Sequence, residues 1–154
     1  MRMMAIFTAA LLLASCSITR LDADALGGKW KISEVRRRGL SQESDLDFDV
    51  KAGRLGIYAG CNRLSTDYTA GQGGIRFGYT VSTLMACSEE MRSAEGGISQ
   101  VLTQASAFRI RNQTLSLEDD AGNVLLRAVR KEGEIPGNTR QDSRKTEGGV
   151  FRLH

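Results

Sequence analysis

Two cysteines, Cys61 and Cys87, bracket a stretch that otherwise reads as short strands and turns, and this bracket constrains the fold more than any other feature. If the thiols meet in an oxidising compartment, the bridge closes a loop of about 27 residues and stabilises the fold by roughly 3–4 kcal/mol on the chain-entropy model. A redox pair is one alternative, but such pairs more typically have Cys-x-x-Cys spacing. A metal site is another, and it would need further ligands that this region lacks. The structural staple is the preferred reading of Cys61 and Cys87.

The third cysteine bears on that choice. Met1 to Cys16 reads as a secretory signal: Arg2 is a short basic region, Ala5 to Leu13 is apolar apart from Thr8, and the run is too short to span a bilayer. Leu13-Ala14-Ser15-Cys16 resembles a bacterial lipobox, in which the cysteine is acylated (for example with palmitate) and becomes the first mature residue. Assigning Cys16 to lipid leaves Cys61 and Cys87 as the only pair, which fits an oxidising periplasm. Ser17, where an Asp would retain a lipoprotein at the inner membrane by enterobacterial sorting, favours the outer membrane. The expected organisation is therefore a signal peptide over 1–15, a lipidated tether over 16–25, one domain over 26–130 and a disordered tail over 131–154. The tail is rich in Gly and charged residues and loses all periodicity.

The domain itself alternates with the period of a strand. Trp30 and Ile32, then Leu46, Phe48 and Val50, then Leu55 and Ile57 lie between polar neighbours and predict strands over 28–36, 45–50 and 54–58. Further strands are expected around Thr66 to Thr69 and along Ile75, Phe77, Tyr79 and Val81, with Gly71 to Gly74 as the turn between them. Ser88 is an N-cap candidate with Glu89 and Glu90 in the first turn. Met91, Ala94, Ile98, Val101, Leu102 and Ala105 then form the apolar face of one helix. Gly96-Gly97 interrupts that helix, each glycine costing about 1 kcal/mol relative to alanine, so a kink is expected or the sheet must hold it. Three closing strands follow at Phe108–Ile110, Leu115–Leu117 and Val124–Ala128. The expected fold is α+β: a strongly curved, mostly antiparallel sheet of about seven or eight strands with one main helix packed on it.

Function classes narrow by what the residues lack. The formal charge of +3 on 154 residues is no nucleic-acid footprint, and no second apolar segment is long enough for a membrane. The only histidine is His154, which leaves no ordinary Ser-His-Asp or Cys-His arrangement. Asp45, Asp47 and Asp49 share one strand face, but calcium needs six to eight oxygens gathered by a tight loop, so they read as a solvated face. Arg36-Arg37-Arg38 reads as a solvated strand end, with an anionic partner such as lipid headgroups as the sharper alternative. Asn62 reads as a residue that ties down its loop through its amide. No catalytic residue, metal or cofactor is expected.

Gly60-Cys61-Asn62-Arg63 followed by Tyr68, then Ile75 and Phe77, then Thr83-Leu84-Met85-Ala86-Cys87, is similar to the signature of the META domain, also called the HslJ family. The likeness extends back to Leu26-Gly27-Gly28-Lys29-Trp30-Lys31-Ile32, which resembles that family's opening Gly-x-Trp strand, and forward to Leu115-Ser116-Leu117 and Val124-Leu125-Leu126. Where family members usually carry a glycine between the Asn-Arg pair and the tyrosine, this chain has Thr66, so a differently built turn is expected there. The resemblance makes Gly60, Asn62, Arg63, Tyr68, Thr83 and Met85 a motif loop, and Trp30 a candidate ligand or partner surface. It implies a small envelope protein without known catalysis, in a family associated with stress or heat-shock response and, in some bacteria, novobiocin resistance. Its fold would resemble the pilotin lipoproteins that help secretin subunits reach the outer membrane. The expectation is a monomeric, periplasm-facing protein held to the membrane by lipid on Cys16, binding an envelope protein partner and no nucleic acid. The alternative is a periplasmic carrier or sensor of a small apolar ligand within the curved sheet.

Overall fold

The computed structural model describes residues 23–132. The expected signal peptide, Cys16, the expected tether as far as residue 22 and the expected tail from 133 onward lie outside the described residues.

A short 3-10 turn, Ala23–Leu26, leads into strand β1 (Gly28–Val35) and a two-residue strand β2 (Arg38–Gly39). Next come β3 (Asp45–Asp49), β4 (Arg54–Tyr58), β5 (Arg63–Gly71), β6 (Gly74–Phe77) and the two-residue β7 (Val81–Ser82). Helix α1 (Glu89–Gln104) is followed by β8 (Ala107–Arg111), β9 (Thr114–Glu118) and β10 (Val124–Arg130). Neighbours pair antiparallel in the order β10-β9-β8-β6-β5-β4-β3-β1, and β10 pairs back onto β1, so eight strands close into a barrel. Closure leaves these strands no long free edge for unwanted pairing.

The alternation read from the sequence becomes inside and outside. Trp30, Leu46, Phe48, Leu55, Ile57, Leu64, Ile75, Phe108, Leu115, Leu117, Leu126 and Ala128 are buried in one core. Each large side chain so buried contributes roughly 1.5–3 kcal/mol of hydrophobic stabilisation. Two bulges adjust the pattern. Ser33 is the extra residue where β1 meets β10, and Leu125 is the extra residue where β10 meets β9. Bulges re-aim side chains, and here they leave Val35, Leu125 and Leu126 all buried at the end of the barrel that α1 covers.

Each end of the barrel has its own plug. At one end, the buried Ile98, Val101 and Leu102 of α1 pack into the core. At the other end, Leu26 is buried and its carbonyl accepts a 2.7 Å hydrogen bond from Trp30 Nε1. Arg130 fastens this second plug: its guanidinium donates to Gly27 O and Ala25 O, both at 2.7 Å, and lies 4.0 Å over the Trp30 ring.

Several local expectations change in three dimensions. Arg63 to Gly71 is one continuous strand, so Thr66 occupies no turn; it points inward and is buried. The strand through Ile75 ends at Phe77, and the chain rejoins β5 only at Val81–Ser82, leaving Tyr79 exposed. Helix α1, for which either a kink or support from the sheet was expected, runs unbroken through Gly96-Gly97, because packing on the barrel supplies what propensity withholds. Three two-residue hairpin loops have positive φ at both central residues: Arg36-Arg37, Gln72-Gly73 and Asn112-Gln113. Such loops match the twist of the flanking strands and are usually built from Asn and Gly.

Candidate functional site

The α1 end of the barrel carries the motif residues. Asn62 is buried, and its amide works in three directions. Its oxygen accepts from Thr83 Oγ1 at 3.0 Å and from the Met85 backbone N–H at 2.9 Å. Its NH2 donates to Glu95 Oε2 at 2.7 Å, while Glu95 Oε1 accepts from Ser82 Oγ at 2.8 Å. The orientation is fixed by chemistry, since only the NH2 can face a carboxylate. Thr83 Oγ1 in turn accepts from the Arg63 N–H, and Thr83 N–H donates to Arg63 O. One buried side chain thus joins the β5 entry, the segment after β7, and the helix.

The other motif residues complete the clamp. Cys61 and Cys87 are disulfide-bonded, with Cα atoms 6.1 Å apart, so the segment is tied where it enters the helix. Gly60 has φ +92°, and a Cβ there would lie 2.5 Å from Gln42 Cγ, so the position requires glycine. Tyr58 Oη donates to Gly60 O, and the Arg63 guanidinium lies 5.3 Å over the Tyr58 ring. Ser88 caps α1 by accepting from Met91 N–H.

The clamp displays apolar side chains to solvent. Leu84 is 98% exposed, Tyr79 90%, Met85 62% and Val81 58%, and all four fall within one seven-residue stretch. Beside them a groove runs between Leu84–Ala86 and the Arg92, Glu95, Gly96 and Ser99 side of α1, with Asn62 among its lining residues. At Gly96 a Cβ would touch nothing within 4 Å, so the helix backbone is open to an approaching group.

Gly60, Cys61, Asn62, Arg63, Thr83, Met85 and Cys87 are therefore brought together. Tyr68 is not among them: it faces the barrel interior, edge-on to Phe48 at 5.2 Å between ring centres. Trp30 is not a surface, contrary to expectation. It is 0% exposed, because the barrel core surrounds its ring and Arg130 covers it. Val81 and Tyr79 were legible as apolar residues, but period-2 alternation placed them in a buried strand; what exposes them is the break after Phe77. Glu95 carried no sequence signal, since its partner Asn62 is 33 positions away.

The geometry defines a small antiparallel barrel plugged by one helix, with a disulfide-tied loop beside that helix. The META domain model matches residues 23–132, and the chain belongs to the META domain family, of which HslJ proteins are part. Its fold is similar to a protein from Burkholderia xenovorans solved by NMR, at 23% identity and a TM-score of 0.57, covering 71% of this chain and 87% of that one. A second protein solved by NMR is similar at 16% identity and a TM-score of 0.53, covering 66% and 87% respectively. No curated protein matches the chain.

Proposed function

We propose that this META-family chain is a non-catalytic, lipid-anchored envelope protein that holds a protein partner against Tyr79, Val81, Leu84 and Met85, and thereby supports envelope integrity or tolerance of stress and novobiocin. The observation that carries the reading is the investment in display: a buried amide with three hydrogen bonds and a disulfide fix the segment that carries Leu84 and Met85, and four large apolar side chains between residues 79 and 85 stand in water. Large apolar side chains exposed together in one segment are the kind of surface that interaction sites use. The direction of the chain supports it too. The 3-10 turn that follows the tether lies at the barrel end opposite Asn62, so a membrane anchor at Cys16 leaves the displayed surface free for a periplasmic partner. The carrier reading is not adopted, because Trp30 is packed rather than lining a cavity.

The test is photo-crosslinking in cells from residue 84, with residue 51 on the far side of the barrel as control. One envelope protein trapped from residue 84 alone, and lost when Val81 and Met85 become Ser, is the expected result. Equal adducts from both positions would sink the proposal. Anchoring is checked separately: a fatty-acid label is expected on the wild type and absent from Cys16→Ala.

A further inference from the structure

The opposite side of α1 carries a second groove that the proposed function does not use. It runs between the hairpin that joins β1 to β2 and the face of α1 formed by Glu90, Ala94 and Gly97, and Val35, Arg36, Arg38 and Leu40 line it. Two features set it apart from an ordinary crevice. The charge is unbalanced: Arg36 donates to Gln104 Oε1, but among the described residues the side chains of Arg37 and Arg38 have no hydrogen-bond or ion-pair partner. Glu90, the only carboxylate lining the groove, is already accepting from Ser41 Oγ. The floor is apolar and open: Val35 is buried, Leu40 half-buried, and a Cβ at Gly97 would meet only Val35 Cγ1, at 3.6 Å.

We infer that this groove binds an acidic, extended peptide segment of a partner protein, with carboxylates on Arg36 and Arg38 and an apolar side chain laid between Leu40 and Gly97. A concave channel with an apolar floor suits a chain better than a flat membrane. The hairpin also follows the end of β1 that is about 23 Å from its start at a strand rise of about 3.3 Å per residue, on the side away from the tether. The inference does not depend on the Leu84 surface, which flanks the other side of the helix.

The experiment measures fluorescence anisotropy of rhodamine-labelled dodecapeptides with the full chain in zwitterionic detergent. A peptide alternating Glu and Leu is expected to bind, a Lys and Leu counterpart is not, and 0.5 M salt is expected to weaken binding several-fold. Arg38→Gln, whose side chain holds nothing else in place, is expected to weaken binding at least fivefold. Gly97→Leu, which fills the floor and favours the helix, is expected to weaken it at least tenfold with thermal stability maintained, while Leu84→Ser leaves it unchanged. Equal binding of the Lys peptide, or indifference to both groove variants, would overturn the inference. So would association with phosphatidylglycerol vesicles that depends on Arg38 in the absence of any peptide binding, because the hairpin would then be a membrane contact.

Discussion

Asn62 shows how one residue converts sequence into a site. Its partners lie 21, 23 and 33 positions away, so nothing local reveals them, yet its removal leaves Thr83, Met85 and Glu95 short of a hydrogen bond each. Asn62→Ala is expected to cost about 2–3 kcal/mol, read from the midpoint of urea unfolding. Asn62→Asp is expected to cost more, since it sets a second carboxylate against Glu95. Tyr68 is expected to behave in the opposite way. Its hydroxyl is buried with no hydrogen-bond partner among the described residues, so Tyr68→Phe should be neutral or stabilising by up to about 1 kcal/mol. Burial, followed by the nearby charges of Asp49 and Asp24, raises the Tyr68 pKa above its ordinary 10.0. A raised folded-state value means that this contribution to stability is complete below about pH 10 and is lost as the pH climbs through the folded value. The alkaline unfolding limb of Tyr68→Phe should therefore lie at higher pH than that of the wild type. Coincident limbs would show that the phenol is not what ionises there.

Among the elements, the helix and its staple are where local rules and tertiary context separate. The N-cap at Ser88, the acidic first turn and the apolar face were all legible, because capping and 3.6-residue periodicity are local. The strands from Trp30 through Ala128 were legible for the same reason, since a half-buried strand writes its period into the sequence. Barrel closure, the bulges at Ser33 and Leu125 and the break after Phe77 were not, because distant backbone decides each of them. Of the two outcomes expected at Gly96-Gly97, a kink or a helix held by the sheet, α1 shows the second, and neither glycine has positive φ or a neighbour crowding its Cβ. Gly96→Ala should consequently stabilise the domain by about 0.5–1 kcal/mol, measured as a rise in thermal midpoint. A loss of stability instead would mean that the helix needs its glycine for a reason packing does not show. Replacing Cys61 and Cys87 together by Ser should cost roughly 3–4 kcal/mol under oxidising conditions, and added reductant should bring the wild type to the same stability.

Taken whole, the molecule is a ring whose joints differ in strength. The joint between β1 and β10 links the two ends of the domain through five register pairs, reinforced by Arg36 N–H to Leu125 O and Lys131 N–H to Lys29 O. The joint between β6 and β8 has the single register pair Gly74 with Ala107, with Ile75 N–H to Ser106 O and Phe108 N–H to Gly73 O beside it. Helix α1 and the displayed segment both lie in the connection between these two strands, so opening this seam releases the site side of the barrel while the β1–β10 side stays closed. Local opening costs least where the fewest contacts break. Native-state hydrogen exchange should therefore find the amides of Ile75 and Phe108 exchanging at least roughly 30-fold faster than those of Lys31 and Val129, which face each other across the β1–β10 joint, a gap of about 2 kcal/mol. Side-chain burial makes this a demanding test, since Ile75 and Phe108 are each 1% exposed and would be counted among the most protected on burial alone. Equal protection at all four amides would mean that the ring opens only as a unit, and that the site cannot loosen without unfolding the domain.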